Sequence, residues 1–250
     1  MNTLRENHVS TLICLLSFDS DAGDRSALQL AKLFGTSCRA LLIEDRDLAQ
    51  TPKVDQISDR LVARRRRELM YLGREMGLTV QVDSSDLSPG MQEIRAQSDK
   101  TMMILMQPAH PLSRQTHTFQ AIQAAAAAAP AATLYAPPLS RLDSGPILVL
   151  TRRDDSTGLT LAKQIAKDTH RPLEVARLDL GPQPAVTSLV AAVTWQMNLD
   201  APCLIIVSHD ELMNAPSVYS SLAARLDTPV LVAAGDARHT SDRDAPGRVS

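Results

Sequence analysis

Short apolar runs alternate with stretches of helical periodicity along the first half of the chain. The run Leu12–Phe18 is apolar except for one serine, which is typical of a strand buried on both faces of a parallel sheet. Apolar residues then recur at helical spacing and predict a helix that Asp24 or Ser26 caps and Gly35 ends. A second strand, Arg39–Ile43, follows. A strand, a helix and a strand within about 35 residues indicate one right-handed βαβ unit.

The same alternation continues and predicts an α/β domain over residues 10–138. The further predicted elements are the helix Asp55–Met76, the strand Leu78–Val82, the helix Ser88–Gln97, the strand Met102–Met106, the helix Ala121–Ala132 and the strand Thr133–Tyr135, with a loop at Pro108–Thr118. In the long helix, Leu61 and Leu69 are among the apolar residues that we expect to face the core. The small side chains of the alanine-rich helix could face either its own sheet or a second chain.

The second half repeats this order in a shortened form. Pro137–Pro146 has the composition of a linker, which predicts a domain boundary and a second, smaller domain at residues 146–236. The pattern L-x-L-A-K occurs at Leu28–Lys32 and again at Leu159–Lys163. The other predicted elements are the strands Ile147–Leu150, Leu173–Leu178, Cys203–Val207 and Val230–Ala233 and the helices Ala185–Met197 and Val218–Leu226. No counterpart of the long helix or of the third strand is visible, and residues 237–250 have the composition of a disordered tail.

The composition argues against several classes of partner. Aromatic residues make up 3% of the chain and the formal charge is -2, so neither base stacking nor electrostatic attraction favours nucleic acid. The one tryptophan, Trp195, lies in an apolar helical stretch, where we expect it to fill the core. Three widely spaced cysteines predict buried thiols in a reducing compartment. Residues 1–9 lack the apolar core of a signal peptide and no apolar run is long enough to span a membrane, so we expect a cytoplasmic protein.

Four consecutive arginines, Arg64, Arg65, Arg66 and Arg67, interrupt the periodicity of the long helix. Successive residues of a helix point in different directions, so these four side chains cannot all face one surface. One interpretation is a solvated helix whose arginine stems lie along the protein surface. The other is a docking patch for an acidic protein partner.

Several motifs occur in an order that resembles the universal stress protein family. They are Phe18-Asp19-Ser20 after the first strand, Ser26-Ala27-Leu28 with Ala31 and Leu33 in the first helix, Leu41–Asp45 at the second strand, and Ser217–Val232 at the last helix and strand. The match spans both halves, so the chain resembles a tandem member with a degenerate second half. The resemblance implies tandem doubly wound parallel sheets in a flavodoxin-like three-layer arrangement. It also implies that the two halves pair as a family dimer does, and further dimerisation would be compatible with it.

The resemblance also raises the question of ATP. Members that bind ATP use an Asp after the first strand, backbone at the end of the second, and a glycine loop after the fourth, which Asp19, Ile43 and Thr118 would match in position. The glycine loop itself is absent, because no glycine lies between Gly90 and Gly145. A phosphate cradle needs backbone N–H groups at close approach, which glycine permits at least strain. We therefore expect no cofactor, and the alternative is an adenine nucleotide held by Asp19 and the loop 107–118, with or without slow ATP hydrolysis.

Polar residues at the predicted strand ends offer one further alternative. In the first half they are Asp19, Glu44, Asp45 and His110, and in the second half Arg152, Arg153, Asp154, Asp155, His209 and Asp210. Histidine and carboxylates that converge on one crevice could hold a metal or perform acid–base chemistry, but polar residues accumulate at strand ends in any soluble sheet. We therefore predict no metal site and no catalytic residue. The function that the sequence predicts is a non-catalytic universal-stress-type role in stress response or signalling, exerted by binding a partner protein or a small effector.

Overall fold

The computed structural model describes residues 10–17, 23–44, 52–108, 115–138, 145–152, 156–178, 185–196, 201–208 and 216–233. The first half of this described chain contains β1 (Thr11–Ser17), α1 (Asp24–Phe34), β2 (Ser37–Glu44), α2 (Pro52–Met76), β3 (Thr79–Asp86), α3 (Leu87–Arg95), β4 (Thr101–Met106), α4 (His117–Ala128) and β5 (Ala132–Ala136). The second half contains β6 (Ile147–Thr151), α5 (Thr157–Thr169), β7 (Leu173–Arg177), α6 (Val186–Gln196), β8 (Leu204–Ser208), α7 (Pro216–Leu226) and β9 (Val230–Ala233). The predicted tail 237–250 and residues 139–144 of the predicted linker lie outside the described residues.

The nine strands of the described residues form one sheet in the order β3-β2-β1-β4-β5-β9-β8-β6-β7. Every neighbouring pair is parallel except β5 and β9, which are antiparallel and join the two halves. The predicted α/β class and doubly wound parallel order are therefore confirmed. The strand order of the second half, read inward from β7, repeats that of the first half from β2. Among the described residues, no strand takes the place of β3 beside β7.

Helices cover both faces of the sheet, which explains why the strands are apolar runs without alternation. Leu12, Cys14 and Leu16 of β1 pack with α1 and α2 on one face, which α5 covers in the second half. Ile13 and Leu15 belong to the opposite face, which α3, α4, α6 and α7 cover. The order of strands and the side of each helix place a switch point between β1 and β4, where ligands of open α/β sheets bind. None of the helices in the described ranges is both long and apolar enough to cross a membrane.

Helix α2 differs from the prediction in the direction of Leu61. This side chain is 46% exposed, whereas Val62 and Leu69 are buried. Each residue turns a helix by about 100°, so Val62 lies close to the direction of Leu69 and Leu61 lies nearly a quarter turn away. Arg65 also lies on the buried side. The predicted inward position of Leu61 is therefore wrong, because the neighbouring Val62 fills that place.

Helix α4 packs on the sheet of its own chain. Ile122, Ala125 and Ala126 are buried in the core, and the Ala126 carbonyl accepts a hydrogen bond from Thr133 Oγ1 on β5 at 3.4 Å. The small side chains therefore allow α4 to lie close to β5, which decides between the two alternatives that the sequence left open. The helix also begins at His117, four residues before the predicted start, because the Thr116 hydroxyl caps it by accepting the Phe119 N–H.

The two halves meet through buried polar and aromatic contacts as well as through β5 and β9. The rings of Tyr135 and Tyr219 stack with their centroids 6.2 Å apart. Gln107 Nε2 donates to the Ser220 carbonyl at 2.8 Å, and Gln123 Nε2 donates to the Pro216 carbonyl at 3.1 Å. Burial, together with the neighbouring Tyr219, raises the pKa of Tyr135, so its phenol stays protonated at neutral pH.

The three cysteines are free thiols and all are buried, as predicted. Cys14 and Cys38 lie on β1 and β2 in the same core. A hydrogen bond to Cys38 and burial raise the pKa of the Cys14 thiol, and the nearby Asp24 carboxylate adds to this effect. Cys14 is therefore a neutral thiol that belongs to the packing of the core.

Trp195 does not fill the core, which corrects the sequence prediction. Its side chain is 77% exposed. Leu189 and Val193 form the inward face of α6. Trp195 follows Val193 by two residues and therefore points about 200° away from the direction of that side chain. An apolar helix stretch predicted a buried tryptophan, but only the orientation of the helix decides which of its residues is inside.

Truncation of this tryptophan tests its position. We expect Trp195→Ala to change the free energy of unfolding by less than about 0.5 kcal/mol, as for an exposed side chain. A tryptophan in the core would lose about 3–5 kcal/mol. Urea denaturation followed by circular dichroism measures the difference, and Leu189→Ala on the buried face of the same helix is the control that should lose several times more. A loss above 2 kcal/mol for Trp195→Ala would place this side chain inside the protein.

Candidate functional site

The candidate site lies at the carboxyl ends of β1 and β4, beside the N-terminus of α1. Neither Asp24 nor Ser26 caps this helix, contrary to the prediction, since its N-cap is Gly23, which makes no side-chain cap hydrogen bond. The Ser26 hydroxyl instead donates to the Pro138 carbonyl at 2.8 Å. The Asp24 carboxylate turns away from the helix end toward α2.

A buried ion pair links Asp24 to Arg65 at this position. The Arg65 Nη2 atom donates to Asp24 Oδ1 at 2.8 Å, and the two residues are only 8% and 3% exposed. Asp24 places a negative charge in the first turn of α1, where the helix dipole favours it, and the guanidinium of α2 balances that charge. The first turn of α1 therefore carries an anion of the chain itself, which is already paired with Arg65.

Close packing of β4 against this turn fills the adjacent space. A Cβ atom on Gly23 would lie 3.1 Å from the Cβ of Met106, the last residue of β4. The next residue, Gln107, is buried; its N–H donates to the Ala136 carbonyl at 2.8 Å and its side chain donates to Ser220. The chain directly after β4 is therefore bound to β5 and α7, and Gln107 does not turn its N–H toward a ligand. Residues 109–114 lie outside the described residues.

The matching place in the second half is the N-terminus of α5, where two serines occupy the helix end. Ser156 caps the helix by accepting the Leu159 N–H at 3.1 Å, and Thr151 Oγ1 donates to the Ser156 hydroxyl at 3.0 Å. The Ser208 hydroxyl, at the end of β8, accepts the Gly158 N–H at 2.8 Å. The first N–H groups of a helix have no partner within the helix and commonly bind anions. Here the side chains of Ser156 and Ser208 satisfy two of them.

Of the three residues predicted to bind a nucleotide, the structure describes Ile43 and Thr118. Asp19 lies outside the described residues. Ile43 is buried within β2, where it is paired with Ser17 of β1 and with Ser85 of β3. Thr118 is half-buried and is the second residue of α4, so it lies in a helix and not in the predicted loop. The sequence signal for this helix start was Thr116, which precedes Phe119 and Ile122 at helical spacing.

Of the histidines and carboxylates predicted at the strand ends, Glu44 lies within the described residues. Glu44 is buried at the end of β2, while Asp45, His110, His209 and Asp210 lie outside the described residues. Within the described ranges, no three His, Cys, Asp or Glu side chains come close enough together to hold a metal ion. The chemistry of the described site is thus that of internal charge pairing and helix capping.

Sequence reasoning missed the roles of Asp24, Arg65 and Ser208. Arg65 carried a detectable signal, because it stands three residues after Val62 and four before Leu69, on the buried face of α2. The pairing of Arg65 with Asp24 joins residues 41 positions apart, and that of Ser208 with Gly158 joins residues 50 apart. No local pattern predicts contacts of that separation.

Comparisons with known proteins agree with this architecture. No protein-family model matches the sequence, and no curated protein matches it either. Among solved structures, a universal stress protein from Archaeoglobus fulgidus is similar with a TM-score of 0.60 and 11% identity, over 90% of this chain and 97% of that one. A putative universal stress protein from Pseudomonas aeruginosa has a TM-score of 0.52 and 14% identity, over 92% and 94% of the two chains.

A third similar structure belongs to a different kind of protein. The cytoplasmic domain of a prokaryotic cation chloride cotransporter has a TM-score of 0.51 and 14% identity, over 91% of this chain and 96% of that domain. TM-scores of 0.51–0.60 at identities of 11–14% show likeness of fold alone. The chain therefore has the α/β fold found in universal stress proteins.

Proposed function

We propose that this chain is a non-catalytic universal-stress-type protein of the cytoplasm, which acts in stress response or signalling by binding a partner protein or a small effector. The proposal rests on the internal contacts at the N-termini of α1 and α5. The Asp24–Arg65 ion pair lies at α1, and Ser156 and Ser208 bond to α5. A nucleotide phosphate would have to displace these internal groups, and the glycines that could cradle it elsewhere are absent between Gly90 and Gly145.

We further propose that the two halves are repeats of one unit and that the second is degenerate. The repeated strand order and the two L-x-L-A-K patterns support this. In this reading, the second half has lost the equivalents of α2 and β3. The antiparallel pairing of β5 with β9 then corresponds to the dimer contact of two separate units.

The competing function is adenine-nucleotide binding, with or without slow hydrolysis. It would use Asp19, the backbone of Ile43 and Thr118, together with the loop 107–118. The switch point between β1 and β4 favours it, because open α/β sheets bind their ligands there. In this case the nucleotide would approach residues of the chain that surround the Asp24–Arg65 pair.

Measurement of bound and added nucleotide separates the two functions. We expect the purified full chain to release far less than one equivalent of ATP, ADP or AMP on denaturation, as measured by mass spectrometry. We also expect no thermal shift with ATP at about 1 mM, whereas a site with a Kd of about 10 μM would stabilise the protein by about 2.7 kcal/mol under those conditions. Stoichiometric release would contradict the proposal. So would a thermal shift that Asp19→Ala abolishes and that the exposed control Asp99→Ala leaves unchanged.

A further inference from the structure

A stripe of basic residues runs along the solvent face of α2. It consists of Arg60, Arg64, Arg67, Tyr71 and Arg74, all of which are exposed, and we call it the basic stripe. Their spacing of four, three, four and three residues places all five side chains within about 80° of the helix circumference. The stripe is about 21 Å long at 1.5 Å per residue. Of the four consecutive arginines, only Arg64 and Arg67 belong to it, because Arg65 is buried and Arg66 points about 120° away from the middle of the stripe.

The charge of the stripe is largely unbalanced. Within the described part of the chain, Arg60, Arg67 and Arg74 form no ion pair. Arg64 contacts Glu68 at 2.8 Å, one turn further along the same helix, and both side chains are open to water. Exposed pairs of this kind are weak, so Arg64 can exchange its carboxylate for another at little loss. Since the whole chain has a formal charge of -2, the chain without these four arginines has a formal charge of -6, so the stripe differs in sign from the remainder.

Tyr71 lies between Arg67 and Arg74 in the stripe and is 63% exposed. An aromatic ring between arginines offers a flat apolar contact to a partner, together with a hydroxyl that hydrogen bonds, and tyrosine and arginine are the residues that are enriched at protein interfaces. A hydrogen bond with Glu75 holds this hydroxyl on one border of the stripe and raises the pKa of Tyr71.

We infer that the basic stripe docks an acidic helical segment of a partner protein, with carboxylates that repeat every three or four residues. This inference rests on the proposed function and names the surface and the chemistry of the partner. Guanidinium groups bind carboxylates through paired hydrogen bonds, and a row of them matches a row of glutamates on one face of a helix. Electrostatic attraction of this kind also orients the partner before contact.

Other anionic partners fit the stripe less well. A membrane-surface helix buries a continuous apolar face in the lipid, whereas the apolar face of α2 packs on the sheet through Val62 and Leu69. A nucleic-acid surface needs a basic domain, and single-stranded nucleic acid also needs several aromatic rings, but this chain is acidic with 3% aromatic residues.

Two synthetic helical peptides of identical composition test the inference. In the first, glutamates stand on one face at spacings of four, three and seven residues to match the four arginines, with a leucine inside the gap of seven to meet Tyr71. In the second, the same residues are permuted around the helix. Fluorescence anisotropy of labelled peptides at physiological salt measures the two Kd values. We expect the first peptide to bind the full chain at least about tenfold more tightly than the second.

Two charge-matched variants show whether the stripe is responsible. The first combines Arg60→Gln, Arg64→Gln, Arg67→Gln and Arg74→Gln, and it should lose the preference between the peptides. The control combines Arg95→Gln, Lys100→Gln, Lys163→Gln and Lys167→Gln, which removes the same number of exposed charges elsewhere, and it should keep the preference. Circular dichroism melts establish that both variants are folded.

Three outcomes would overturn the inference. They are equal binding of the two peptides, a preference that survives in the stripe variant, and stripe-dependent binding to phosphatidylserine vesicles without any preference between peptides. If the protein is free of nucleotide but shows one of these outcomes, only the assignment of the basic stripe as a docking surface is refuted. Stoichiometric release of nucleotide refutes the proposed function itself, so the two failures are distinguishable.

Discussion

Replacement of Asp24 by alanine is expected to lower the free energy of unfolding by about 3–5 kcal/mol. The reason is that Arg65 would remain buried without the carboxylate that lies 2.8 Å from it. Desolvation of a charge is offset only by close pairing, so loss of one partner destabilises far more than the pair itself stabilises. Urea denaturation of the variant and the parent protein measures this difference.

The reverse substitution and a double substitution make this prediction specific. Arg65→Met should also destabilise the protein, because Asp24 then loses its buried counter-charge. The double variant Asp24→Leu/Arg65→Met should recover most of the loss, since a buried pair that is replaced by apolar residues often leaves stability unchanged or improved. The control is Arg64→Met in the exposed pair with Glu68, for which we expect a loss of about 0.3–0.5 kcal/mol. Equal losses for Asp24→Ala and Arg64→Met would contradict the burial of the Asp24–Arg65 pair.

Gly158→Ala is expected to destabilise the protein by about 2–4 kcal/mol, although alanine is the better helix former. The new Cβ atom would lie 2.5 Å from the Ser208 hydroxyl and 3.2 Å from the Ser208 nitrogen. Ser208 is buried and accepts the Gly158 N–H, so any shift that relieves the clash also breaks this hydrogen bond. Overpacking of about 1–3 kcal/mol and a buried donor left without its partner at about 1–3 kcal/mol outweigh a gain in helix propensity of about 1 kcal/mol.

A double-mutant cycle identifies Ser208 as the cause. Ser208→Ala removes the hydroxyl and should by itself destabilise the protein through the unsatisfied Gly158 N–H. The combined variant Gly158→Ala/Ser208→Ala should lose less than the sum of the single losses by more than about 1 kcal/mol. Ser208→Ala removes the oxygen with which the new Cβ clashes, and the hydrogen bond that both single substitutions break is lost only once. Lys163→Ala on the exposed side of α5 is the control and should stay within about 0.5 kcal/mol of the parent. Additive losses would show that Ser208 does not fill the end of α5.

These two predictions also bear on function. The ion pair beside α1 and the serines at α5 lie at helix N-termini, and helix N-termini are in general favourable positions for anions. The double variant Asp24→Leu/Arg65→Met removes the ion pair and should remain folded. It is therefore the first variant in which to measure a gain of nucleotide affinity. Under the proposed function, neither site depends on nucleotide for its stability.

Local patterns by themselves determined the element types and the fold class of this protein. Apolar runs such as Leu12–Phe18 predicted strands buried on both faces, and helical spacing ending at Gly35 predicted the first crossover helix. These signals succeed because burial on two faces leaves a trace within a few consecutive residues. The sequence alone likewise shows that no glycine lies between Gly90 and Gly145.

Tertiary structure alone decided which of these elements' residues meet. In the folded chain, Val62 and Arg65 of α2 are buried and Trp195 is exposed. Strand β3 extends to Asp86, which pairs with Glu44, and the pairing of β5 with β9 joins both halves in one sheet. Helical periodicity fixes the angles between side chains on one element but not the rotation of that element against the sheet. The Asp24–Arg65 and Gly158–Ser208 contacts join residues 41 and 50 positions apart. Such contacts exist only once strands and helices have packed, so the ion pair beside α1 and the serine contact at α5 are properties of the folded chain.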